Sequence, residues 1–160
     1  MGLYVVAVDG DQFVAVGMTF ENRAGPMKHQ AVALRVDSDM SAFYNCSFLG
    51  HQDTLYAHAL RHLYHGCRIE GTVDFIFGNA AAVFEECEII FRPGLLLSGS
   101  TTSMATAQGR TDPGETTGLV FHHCTLDGTP EFRQQWAAGR NHAYLGRPWK
   151  LFSRTVFLEC

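Results

Sequence analysis

Two aspartates give the first indication of chemistry. Asp53 and Asp74 stand 21 residues apart, and each follows a cysteine, Cys46 or Cys67, by seven residues. Acids repeating at one phase of an internal period stack on adjacent turns of chain. Neighbouring strands lie about 4.8 Å apart, so both carboxyls can reach one substrate atom. Asp74 sits in GTVDFIFGNA (71–80), among Val73, Phe75, Ile76 and Phe77. A carboxylate in such company is costly unless it is paired or at work. Asp53 follows Gln52 in HQDTLY (51–56), and YLGRPWK (144–150) supplies Arg147 and Trp149. Arginine is a two-pronged partner for a carboxylate, and tryptophan is a flat apolar platform of the kind on which sugars stack. Singly, each has a plainer reading: a turn-capping acid, a surface ion pair, a core aromatic. Together, at matching phase, they read as a site.

The element that must position them is a solenoid. AVGMTF (15–20), FYNCSF (43–48), YHGCRI (64–69), FEECEI (84–89), FHHCTL (121–126) and VFLEC (156–160) share one pattern of apolar residues leading to a Cys, or to Met18 in the first. That ladder position falls at 18, 46, 67, 87, 124 and 160, in steps of 28, 21, 20, 37 and 36. The short steps fit a bare coil and the long ones a coil with an insertion. Each coil buries its inner face only against its neighbours. Short alternating runs (FVAV, TVDFIF, GLVF, TVFL) separated by Gly, Asn and Asp carry β-type rather than helical periodicity. The expectation is an all-β, right-handed parallel β-helix forming one domain over 1–160. Both ends fall within strand-like or ladder sequence, which reads as a solenoid truncated at each end. The insertions 93–106 and 128–143 are expected to wall a cleft, with 93–106 a flexible loop.

Composition narrows the function classes. A hydrophobic fraction of 46% is enough for a core, and a net charge of −4 without a basic run argues against nucleic acid as a partner. No apolar stretch is long enough to cross a membrane, and the N-terminal residues do not have the charged start of a signal peptide. The five cysteines have no metal-type spacing. As ladder residues they read as small buried hydrophobes, with Cys46–Cys67 and Cys87–Cys124 as possible disulfides. His122 and His123 adjoin Cys124, but strand alternation points their rings in opposite directions, away from a shared metal. Asn45-Cys46-Ser47 is formally a glycosylation sequon, placed inside a ladder strand where it is not expected to be used. GxSxG is absent, and no cofactor or metal is called for.

The segments KHQAVALR (28–35), SAFYNCSFLGHQDTLY (41–56), GTVDFIFGNAA (71–81), AQGRTDP (107–113) and YLGRPWK (144–150) resemble, in the same order, the plant-type pectin methylesterases (pectinesterases). The likeness runs from about Val8 to Cys160 and identifies the chain as part of a catalytic domain. It implies the same parallel β-helix. It also implies that Asp74 is the nucleophile toward a galacturonate methyl ester and that Asp53 is the general acid, then base. Gln30 and Gln52 become oxyanion donors, Arg147 the residue that orients the nucleophile, and Trp149 a substrate-binding aromatic. Such an enzyme removes methanol from pectin without a cofactor. It is expected as a monomer, secreted to the plant cell wall, with an inhibitor protein as a possible partner. Phe75 and Tyr56 are further candidates for the sugar groove, and packing is an equal reading for both. His51 departs from the Tyr usual before QDTLY. Two other readings stand beside the esterase: a β-helix glycosidase or lyase, because paired carboxylates also cleave glycosides, and an inactive pectin-binding fragment.

Overall fold

A computed structural model describes residues 4–160. Three parallel sheets run its length. Sheet A holds β1 (Tyr4–Val8), β4 (Val32–Asp37), β7 (Leu55–Ala59), β10 (Val73–Gly78), β13 (Thr101–Gln108) and β16 (Asn141–Pro148). Sheet B holds β2 (Val14–Val16), β5 (Ser41–Tyr44), β8 (Arg61–His65), β11 (Ala81–Glu85), β14 (Gly118–His122) and β17 (Thr155–Leu158). Sheet C holds β3 (Thr19–Glu21), β6 (Ser47–Leu49), β9 (Arg68–Gly71), β12 (Glu88–Phe91) and β15 (Thr125–Gly128). The chain visits A, then B, then C, and then climbs to the next rung. This is the parallel β-helix that the ladder spacing predicts.

Inward-facing residues stack from coil to coil. Along sheet B the rings of Phe43, Tyr64, Phe84, Phe121 and Phe157 form a continuous column, with successive centroids 5.0, 4.6, 4.5 and 4.7 Å apart and nearly parallel planes. Parallel pairing in register forces this alignment, because equal positions on adjacent coils sit one strand spacing apart. Phe20 on Phe48 repeats the arrangement on sheet C at 5.5 Å.

The corner between sheets B and C explains the ladder. Gly17, Asn45, Gly66, Glu86, His123 and Glu159 all have left-handed backbone, with φ between 51° and 63°. Each immediately precedes a ladder residue. The ladder position is therefore a corner, not the strand expected from sequence, and Asn45 of the sequon lies exposed on it. The left-handed residue turns the chain, and at Cys46, Cys67, Cys87 and Cys124 the next side chain is buried in the core. The possible disulfides Cys46–Cys67 and Cys87–Cys124 are not formed, and all five cysteines are free thiols. The thiols of Cys67, Cys87 and Cys124 instead donate to the carbonyls of Phe43, Tyr64 and Phe84 on the preceding coil, at 3.3 to 3.4 Å.

The insertions also differ from expectation. Residues 101–106 are not loop but the first part of β13. Residues 128–143 contain a helix, α1 (Pro130–Ala137), started by the Thr129 side chain, which accepts from Phe132 N at 3.3 Å. Phe132 stacks on Phe91 at 5.3 Å, so the helix covers the outer end of sheet C.

Candidate active site

The corner from sheet C into sheet A carries the chemistry. Asp53 and Asp74 both have left-handed backbone there, with φ of 63° and 51°. Non-glycine residues adopt that region at a cost of order 1 kcal/mol or more and keep it only where the surroundings enforce it. Ladder bonds run from Ala31 N to Gln52 O at 3.1 Å and from Asp53 N to Val73 O at 3.0 Å. These bonds set Gln30 beside Gln52, and Asp53 beside Asp74, on adjacent coils. The stacking that the 21-residue spacing predicts is present.

A break in pairing aims Asp74. The register between β10 and β13 shifts between Val73 and Ile76, so Phe75 and Ile76 both face inward and both are fully buried. A bulge of this kind re-aims one side chain of a strand. Phe75 packs edge-on against Phe91 at 5.3 Å in the core. It has no surface to offer a sugar, so its place among the substrate-binding candidates is corrected here. Beside Trp149, the aromatic at the cleft is Phe77, which sequence reasoning passed over as a site residue. Strict alternation would put Phe75 and Phe77 on the same face, and the bulge is what separates them.

Arg147 approaches from two coils away. The row Tyr56, Phe77, Ala107, Arg147 runs in register across β7, β10, β13 and β16. The methyl side chain of Ala107 lets the guanidinium reach back over it. Arg147 Nε donates to Asp74 Oδ1 at 2.8 Å, and Arg147 Nη2 donates to Oδ2. This fork-on-carboxylate geometry fixes both oxygens of a side chain that is only 10% exposed. Asp53 has no such clamp. Burial first, and then the neighbouring Asp74 charge, push its carboxyl up to about 7, with Arg147 opposing. The two acids thereby sit in unequal surroundings, one held by the arginine fork and one not.

Gln30, Gln52, Asp53, Asp74, Phe77, Ala107, Arg147 and Trp149 line one cleft of about 220 Å³. Neither insertion contributes a lining residue, contrary to the cleft-wall expectation. Trp149 stands half-exposed at the rim, edge-on to Phe77 at 6.0 Å. Its ring lies over Gly109, where a Cβ would meet Trp149 Cε3 at 2.8 Å. Tyr56 lies beneath the rim, stacked on Phe77 at 4.3 Å, and is not a lining residue. The buried Gln108 side chain, also missed from sequence, accepts from the backbone N–H groups of Arg110 and Arg154 at 3.0 and 2.9 Å. It thereby anchors the loop that carries Trp149.

A family model described as pectinesterase matches residues 4–160. The chain belongs to the pectinesterase family. A probable pectinesterase/pectinesterase inhibitor of Arabidopsis thaliana is 54% identical over 158 residues, which is 99% of this chain and 30% of that protein. A pectin methylesterase from carrot superposes with a TM-score of 0.92 at 47% identity, covering 98% of this chain and 47% of that one. A pectin methylesterase solved in complex with a hexasaccharide superposes at 0.78 with 29% identity, over 91% of this chain and 46% of that chain. The chain thus spans about a third of its Arabidopsis relative and about half of the solved carrot protein.

Proposed function

We propose that this pectinesterase-family chain carries the demethylesterifying centre of a pectin methylesterase. It would hydrolyse the methyl esters of homogalacturonan to galacturonate and methanol. The observation that carries this reading is the unequal pair in one cleft: Asp74 clamped by Arg147, and Asp53 lifted to about 7 beside it. In the first half-reaction an Asp74 oxygen attacks the ester carbonyl carbon. Gln30 and Gln52 amide N–H groups donate to the oxyanion as it forms. Asp53 gives its proton to the departing methoxide, so methanol leaves and an acyl–Asp74 anhydride remains. In the second, the Asp53 carboxylate takes a proton from water, hydroxide adds to the acyl carbon, and galacturonate departs with Asp74 restored. Trp149 at the rim offers a stacking surface for a sugar ring, and the hexasaccharide held by the related enzyme supports a polymer lying along the coils.

The cell wall as its location follows from the same family reading, as does an inhibitor protein as a partner. The name of the Arabidopsis relative, which joins the two activities, supports the partner. Methanol release from methyl-esterified pectin tests the reaction. Asp74→Asn is expected to lower it by at least two orders of magnitude without altering the circular dichroism spectrum. Turnover at the parent rate would overturn the nucleophile assignment. New reducing or unsaturated ends without methanol would point to a glycosidase or lyase, and saturable pectin binding without turnover to a binding fragment.

A further inference from the structure

The outer end of sheet B carries a group of side chains that the esterase chemistry does not use. Glu85 and His122 stand in register at the ends of β11 and β14, and His123 occupies the corner that follows. Strand alternation would send His122 and His123 to opposite faces. The structure corrects that expectation. His123 has φ +51°, which swings its side chain around, and the two imidazole centroids lie 4.0 Å apart. His122 Nδ1 sits 3.1 and 2.9 Å from the two Glu85 oxygens. One donor atom each from Glu85, His122 and His123 lie within 4.8 Å of one another. On the next coil, the Glu159 carboxylate comes within 3.3 Å of His123 Nε2.

We propose that Glu85, His122 and His123 form a binding site for a divalent transition metal of the zinc class, with Glu159 or water as fourth ligand. Two imidazoles and a carboxylate suit zinc, whose bonds of about 2.0–2.1 Å hold tetrahedral donors about 3.3 Å apart. One pair stands at 2.9 Å and the three donors lie within 4.8 Å of one another, so small side-chain rotations would bring them to that spacing. The backbone is already placed, because Glu85 and His122 are neighbours in a rigid parallel ladder and His123 is fixed by its corner. The ligands are partly exposed, which leaves a path for the ion and room for water. A bound ion would tie the coil of Glu85 to that of His122 and His123, and through Glu159 to the next. Binding only the folded coils, it stabilises them by mass action.

Calorimetric titration of zinc chloride into the metal-free chain at neutral pH tests this. One equivalent is expected to bind in the micromolar range or tighter, with a raised melting temperature that EDTA reverses. His123→Ala and Glu85→Gln should each weaken binding by at least an order of magnitude. His142→Ala, exposed on sheet A, and Cys160→Ser should leave it unchanged. Circular dichroism on each variant confirms the fold. Three results would each overturn the proposal: no saturable binding, binding that survives His123→Ala, or binding lost with Cys160→Ser. Any of them would leave the cluster as a hydrogen-bonded contact between His122 and Glu85.

Discussion

At the scale of single residues, the site works by treating two similar acids differently. Asp74 receives both prongs of Arg147, while Asp53 is buried beside that charge without a clamp of its own. Its carboxyl rises from 3.8 to about 7. The consequence for stability has a definite sign. Between those values the unfolded chain has released the Asp53 proton while the folded chain still holds it. The folded state therefore binds more protons, and stability is lost as pH rises. Asn at this position is neutral throughout and escapes that loss. Melting temperatures of Asp53→Asn and the parent should differ little below 3.8, and the variant should gain progressively up to about 7. A gap that does not change with pH would mean that Asp53 is not held protonated by the fold.

At the scale of elements, the aromatic column in sheet B sets how firmly adjacent coils are joined. Phe84 is fully buried between Tyr64 and Phe121. Removing it leaves a void that two flat neighbours in a fixed ladder cannot fill. Phe84→Ala is expected to cost about 3–5 kcal/mol in urea unfolding, and a loss under about 1 kcal/mol would mean that the coils repack. Sequence made this column legible, because an aromatic or apolar residue recurs before each ladder position. It also exposed the catalytic acids through their shared phase. It did not expose what depends on backbone handedness. The left-handed corners turn the cysteines inward and bring His122 and His123 together. The bulge in β10 buries Phe75 and leaves Phe77 at the cleft. Period-two reasoning fails at each of these places because one residue leaves the extended conformation. Helix α1 was legible in principle: Thr129-Pro130-Glu131 is a cap, a favoured first-turn proline and an acid at the N-terminal end.

At the scale of the whole molecule, the site depends on how three successive coils hold together, those of β10, β13 and β16. The backbone ladder of each coil pairs only with its neighbours, so cohesion is largely a sum of coil-to-coil terms, to which the Arg147–Asp74 contact adds one that spans two coils. Asp53 precedes β7 and Asp74 lies within β10, both near the middle. Arg147 belongs to β16, the last strand of sheet A. The clamp on Asp74 therefore requires the β10–β13 and β13–β16 ladders to stay closed together. Native-state hydrogen exchange that compares the amides of β16 with those of β7 and β10 tests whether the ladder holding Arg147 opens separately. If β16 opens independently, the Asp74–Arg147 pair breaks in that open state while the Asp53–Asp74 stack persists. Equal protection along the axis would instead mean that the coils open as one unit and that the clamp is as durable as the core.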